Sequence, residues 1–261
     1  MIPLDARRTT KKLQSPVQTP SDPAEDPADL PAILLEVHRR LYQSYGPQGW
    51  WPGDGPADVI IGAILTQAAA WTNVEMAIAN LKEAGCWSLE AIDNKSEEAL
   101  AEIIRPSGYF NAKARKLKAF ARHLQVNHAG DLDKMLSQET GPLRDELLSI
   151  HGVGPETADD IVLYAAGKPS FVIDSFTIRI IQRLGIADEK QTKSYNGCQA
   201  FFHENLPADA PLFNEYHALL DRHAKEACTK TPRCHGCCLL DLCDTGKRGS
   251  AALSSFGATC P

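Results

Sequence analysis

The stretch Leu147-Leu-Ser-Ile-His-Gly-Val-Gly-Pro-Glu-Thr-Ala-Asp-Asp-Ile-Val-Leu-Tyr-Ala165 reads as helix, tight turn, helix. Leu147, Leu148 and Ile150 close one apolar stripe, and Ala158, Ile161, Val162 and Ala165 begin another at helical spacing. Gly152, Val153 and Gly154 make the turn between them. Glycine permits backbone torsions that other residues resist, and Pro155 suits a first helical position, where its missing N–H is not needed. A glycine turn at a helix start points several N–H groups outward, a geometry that suits a phosphate oxygen. Such contacts position a protein on DNA without reading its sequence. By itself, Gly-Val-Gly fits an ordinary helical hairpin equally well.

Outward from this hairpin the pattern stays helical. Leu34, Val37 and Leu41 form one stripe, and Val74, Ala77, Ile78 and Leu81 another. Leu117, Phe120, Ala121 and Leu124 follow, then Phe176, Ile180, Ile181 and Leu184, then Leu212, Tyr216, Leu219 and Leu220. Only Phe171–Ile173 is briefly β-like, so the expected class is all-α. Residues 1–29 are rich in Pro, Ser, Thr and charge and read as a disordered tail; residues 244–261 read as a second one. No run approaches a membrane span, and the N-terminal stretch lacks a secretory pattern, so a cytoplasmic protein is expected.

The formal net charge of −6 argues against a nucleic-acid partner, but a binding footprint is local. Between Arg105 and Gln125 stand Arg105, Lys113, Arg115, Lys116, Lys118 and Arg122, with no acid. This is either a solvated helix face or a phosphate-binding surface.

The hairpin closely resembles the L-P-G-V-G-x-x-T-A signature of the endonuclease III superfamily of DNA glycosylases. In that superfamily an aspartate follows about one helix later, and here Phe171-Val-Ile-Asp174-Ser175 matches its setting. The resemblance runs from about Leu30 to Cys243. It implies two helical lobes with the active site between them: Gly55–Ala166, ending in the hairpin, and Leu30–Asp54 joined with Gly167–Cys243. It also implies DNA contact through Gly152, Val153 and Gly154, and Asp174 as the catalytic carboxylate. Breaking a base–sugar bond builds positive charge on the sugar, which a fixed carboxylate stabilises while orienting or deprotonating water. Asp174 also reads as the N-cap of the helix begun by Ser175.

Members that also cut the strand carry a lysine two residues after G-V-G, where its amine forms a Schiff base. Here that residue is Glu156, which cannot form an imine. The resemblance therefore implies a monofunctional enzyme; Lys225 is the first alternative amine to consider. Trp50-Trp51-Pro, then Leu65-Thr-Gln67 followed by Trp71, then Arg105-Pro-Ser-Gly-Tyr-Phe-Asn-x-Lys113-Ala resemble the 3-methyladenine DNA glycosylases of this superfamily. That implies a base pocket of Trp50 or Trp51 with Trp71 and Glu156. A ring-alkylated purine is cationic, and an aromatic face attracts it by roughly 0.5–2 kcal/mol. Gln67 matches the position from which a side chain enters the gap left by an extruded base, and Lys113 is expected to meet DNA.

Cys228-x5-Cys234-x2-Cys237-x5-Cys243 places four thiols within sixteen residues. The superfamily's iron–sulfur loop is C-x6-C-x2-C-x5-C, one residue longer in its first gap. The resemblance implies a structural [4Fe–4S] cluster on these cysteines, with zinc as the competing metal and Cys238 as a substitute ligand. The expected substrate is double-stranded DNA holding an alkylated purine, attacked by a monomer. The rival readings are a glycosylase/lyase for oxidised pyrimidines and a non-catalytic iron–sulfur DNA-binding protein.

Overall fold

The computed structural model describes residues 29–248, and every regular element among them is helical. Of the expected tails, 1–29 and 244–261, residues 1–28 and 249–261 lie outside the described residues. Asp29, read as tail, instead caps the first helix by accepting the Ala32 N–H, and residues 244–248 are helical. In chain order come α1 Leu30–Tyr45, α2 Pro56–Thr66, α3 Trp71–Glu83, α4 Leu89–Asn94 and α5 Glu97–Ile103. A 3-10 turn at Arg105–Ser107 leads to α6 Phe110–His128, α7 Leu132–Leu136 and α8 Thr140–Ser149. Across the hairpin, α9 Pro155–Asp160 runs into a π-helical turn, Ile161–Ala165. Then come α10 Ser175–Leu184, α11 Glu189–Thr192, α12 Tyr195–Asn205 and α13 Ala210–Glu226.

Polar side chains start most of these helices. Ser88, Ser96, Asp131, Asp174, Asp188, Ser194 and Asp209 each accept an N–H from the first turn that follows. Each such cap stabilises by about 1 kcal/mol and fixes where its helix begins.

The apolar stripes pack into two clusters. One joins α2, α3, α6 and α8 to Ala158, Ile161 and Val162. The other joins α1, α10, α12 and α13 to Leu163 and to Phe171, Val172 and Ile173. The segment after the hairpin thus serves both cores. Its π-helical turn widens the winding, so Ile161 and Val162 face one cluster while Leu163 faces the other. Phe171–Ile173 makes no strand, because it has no strand partner; it is a buried connector. It delivers Asp174 to the start of α10 beside the π-helical turn.

Candidate active site and cysteine loop

Within the hairpin the two glycines differ. Gly152 has φ +86°, the left-handed region, and a Cβ there would lie 2.2 Å from Cγ of Lys116. Gly154 has φ −94°, which any residue adopts, and open space where a side chain would stand. The turn therefore requires glycine at 152 by torsion and by packing. Position 154 simply keeps its backbone accessible. Gln67 is tied to this hairpin: its amide donates to the Gly152 carbonyl at 3.2 Å and to Thr157 Oγ1 at 2.9 Å. Lys116 donates to the Gln67 carbonyl oxygen. Gln67, Lys116, Gly152–Thr157 and Tyr195 line one open recess. Lys116 was not singled out in the sequence from its basic neighbours; only its packing over Gly152 distinguishes it.

Asp174 caps α10, its Oδ1 accepting the Thr177 N–H at 2.6 Å. Its Oδ2 lies 3.9 Å from Nε2 of His217 on α13. Nδ1 of that ring meets the Tyr164 hydroxyl at 2.6 Å. Burial lowers the His217 pKa and raises that of Tyr164, so the ring is neutral and the phenol keeps its proton. The phenol then donates to Nδ1, which leaves the proton of His217 on Nε2, facing Asp174. That Nε2 has no hydrogen-bond partner among the described residues. His217 and Tyr164 were missed in the sequence because no local motif joins them; α13 and the π-helical turn meet only in the fold.

The carboxyl groups around Asp174 carry an unusual charge balance. Glu156 is exposed along the recess, its carboxyl partly shielded by the protein around it. Lost hydration, and secondarily the charge of Asp174, push it up to about 7. The solvent that does reach it keeps the cost to the fold small. Asp160, one turn further along the same helix, is 8 % exposed. Burial first, then Glu156, Asp174 and Asp159, raise it well above the carboxylate range. No side-chain hydrogen bond engages its carboxyl among the described residues. Asp159, in contrast, is fully buried and satisfied: Arg144 binds it through two nitrogens at 2.8 and 3.0 Å, and Ser170 donates at 2.5 Å.

Trp50, Trp51 and Trp71 come together, each half-buried. Their ring centroids lie 5.0, 5.2 and 5.9 Å apart, and Tyr164 lies 5.7 Å from Trp51. None of these pairs is parallel; the rings make an angled box. A Cβ on Gly62 would lie 2.7 Å from the Trp51 ring, so α2 must present a glycine there. Trp71 donates its ring N–H to Glu75 at 2.9 Å.

Lys113 overturns its expected role. It is 1 % exposed, and its ammonium donates to the carbonyls of Leu65 and Ser107 at 2.7 and 2.6 Å. It caps the end of α2 from inside, and burial with Lys116 nearby lowers it to about 8. No phosphate can reach it. Most of the neighbouring cations also have partners, although the three arginines stay more than half exposed. Lys118 donates to three carbonyls at the end of α4, Arg105 pairs with Glu102, Arg115 with Glu97 and Arg122 with Asp93. Lys225, the alternative amine, pairs with Asp221 at 2.6 Å.

Cys228, Cys234, Cys237 and Cys243 line one recess, walled by Ile180, Arg183, Leu184 and His223. Cys238 does not line it. Donors surround these sulfurs: Arg183 at 3.2 Å from Cys228, and the N–H groups of Leu239 and Gly246 at 3.4 Å from Cys237 and Cys243.

With this geometry in view, residues 61–202 match the family described as HhH-GPD superfamily base excision DNA repair protein. A Methanocaldococcus jannaschii protein, provisionally named a DNA repair glycosylase, is 41% identical over 81% of this chain and 96% of its own length. Endonuclease III of Sulfolobus acidocaldarius is 28% identical over 70% of this chain and 79% of that protein. Among solved structures, the H. pylori 3-methyladenine DNA glycosylase bound to 1,N6-ethenoadenine superposes with a TM-score of 0.65 at 27% identity, covering 76% of this chain and 98% of that one. An endonuclease III–DNA covalent intermediate superposes with a TM-score of 0.72 at 21% identity, covering 84% and 98%, and shares the fold.

Proposed function

The chain belongs to the HhH-GPD superfamily of base excision repair DNA glycosylases, and from that premise we propose that it hydrolyses the N-glycosidic bond of alkylated purines such as 3-methyladenine in duplex DNA, without cutting the strand. The observation that carries this reading is the Glu156 carboxyl lining the hairpin recess, its pKa raised by burial and by the charge of Asp174. Where a strand-cutting relative needs an amine, this chain has a carboxyl, and Lys113 and Lys225 are both engaged elsewhere.

The raised pKa values of Glu156 and Asp160 support a cationic base. Burial and mutual repulsion hold Glu156 and Asp160 partly or wholly protonated, which means the pocket favours positive charge. A cationic base relieves that repulsion, and the aromatic box offers it negative ring faces. Trp50, Trp51 and Trp71 surround the extruded base, and unstacking is easiest where damage has already weakened pairing. Asp174 then stabilises the positive sugar as the bond breaks and directs water to it. Its cap bond to Thr177 holds it in place, and the Nε2–H of His217 orients the carboxylate or its water. The backbone of Gly152–Gly154 holds a phosphate, with Gln67 and Lys116 bracing the turn.

Cys228, Cys234, Cys237 and Cys243 hold a [4Fe–4S] cluster, which supplies structural cross-linking to the ends of α10 and α13. The single C-x2-C pair and the N–H donors to sulfur support the cluster over zinc. Iron and sulfide analysis with the visible spectrum tests it; a colourless zinc protein would overturn it.

The test of the activity is a panel of duplexes, each with one defined lesion, assayed for base release with and without alkaline work-up. Release of 3-methyladenine with strand breaks only after alkali is expected. Covalent trapping by borohydride would defeat the monofunctional reading. Preferential release of a neutral oxidised pyrimidine, or of mispaired thymine or uracil, would defeat the alkylpurine reading.

A further inference from the structure

Away from the catalytic recess, two imidazoles and a carboxylate converge. His123 and His128 lie in the last turns of α6, and Glu146 projects from α8, the helix that leads into the hairpin. Nε2 of His123 and Nε2 of His128 lie 2.7 and 2.6 Å from the same oxygen, Oε1 of Glu146. The other oxygen is held by the Gln138 amide at 2.5 Å. The three donor atoms lie within 4.8 Å of one another, and the side chains are only 12–20% exposed. Nothing in the proposed reaction uses them.

We propose that His123, His128 and Glu146 bind a divalent transition metal of the zinc type. Two imidazoles with one carboxylate suit borderline ions such as zinc, nickel or cobalt, whereas magnesium and calcium require oxygen ligands. Zinc bonds of about 2.0–2.2 Å set tetrahedral donors roughly 3.3 Å apart. The Glu146 oxygen must therefore retreat by roughly half an ångström. That is a small rotation of a side chain whose second oxygen stays on Gln138. The fourth position remains for water. Nδ1 of His128 is buried without a partner among the described residues, so one of the usual outer bonds that orient a ligating imidazole is missing there. Affinity of order micromolar is therefore expected. The bound ion would tie the end of α6 to α8 and stiffen the support of the hairpin.

The competing use of these atoms is a hydrogen-bonded clamp with no metal. Calorimetric titration of the intact, chelator-treated holoprotein with Zn2+ separates the two. Wild type should bind one ion more than a His123→Asn/His128→Asn variant, with Kd of about 10 µM or tighter. Its Tm should rise by a few degrees with Zn2+, while the variant's should not. Zinc taken up by cysteines is common to both proteins and subtracts out. Glu146→Gln keeps the shape and acceptor of the clamp, so it guards against misreading a folding defect; it should weaken zinc binding at least about tenfold. Equal titrations for wild type and the double variant, undiminished binding by Glu146→Gln, or no additional zinc up to about 100 µM would each overturn the site.

Discussion

Two charged regions of this protein invite opposite first readings. Arg105–Arg122 is dense in cations and looks built for phosphate, yet its lysines are drawn into the fold: carbonyls take Lys113 and Lys118, Lys116 braces Gln67, and the exposed Arg105, Arg115 and Arg122 each lie beside a carboxylate. The stretch from Glu156 to Asp174 is acidic and looks ill-suited to DNA, yet its carboxyls are the ones left without a counter-charge. Asp159 is the exception, and Arg144 neutralises it. A charge acts on a ligand only to the extent that the protein has not already paired it, so function follows the unpaired groups rather than the dense ones.

The comparison breaks most readily at Asp174. Asp174→Asn should lower single-turnover base release by about a thousandfold while DNA affinity changes little. Retained release would make the recess a binding module only. Next comes Lys113. Lys113→Met leaves the carbonyls of Leu65 and Ser107 without their donor and should destabilise the fold by about 2–4 kcal/mol, read as a lowered Tm. Release per folded molecule should be unchanged, since this cation touches no DNA.

The aromatic box gives a smaller effect. Trp51→Ala should weaken kcat/KM for a cationic lesion by roughly tenfold, and more than for a neutral one. Glu156 adds a pH signature. Its raised pKa means that it ionises as pH passes about 7. Ionisation favours a cationic base, so KM should fall with rising pH through that point, and Glu156→Gln should flatten the profile. At the bottom of the scale, Arg115→Ala with Arg122→Ala should change DNA affinity by less than about twofold. A large loss would restore the basic stretch as a DNA footprint.

Much of the architecture was legible beforehand. The all-helical class followed from apolar stripes at helical spacing, because burial selects one face of each helix and leaves that mark in the sequence. The hairpin and Asp174 were legible because a tight turn and a cap are local, each decided within a few residues. The spacing of Cys228–Cys243 was visible for the same reason. Gln67 and Lys116 illustrate the limit. Both stood in plain view as polar residues, but their joint support of Gly152 depends on α6 crossing the hairpin. Lys113 was misread because the sequence displays a charge and hides its burial.

What the chain alone determined was a helical fold, a glycine hairpin followed by a capping aspartate, and a carboxylate where an amine would form an imine. Those are properties of residue type and short spacing. Only the tertiary structure decided which charges remain unpaired, that three tryptophans and Tyr164 form one angled box, and that His217 faces Asp174 from α13. These depend on segments far apart in sequence meeting at the junction of two hydrophobic clusters, where burial reshapes the charge of every group it encloses.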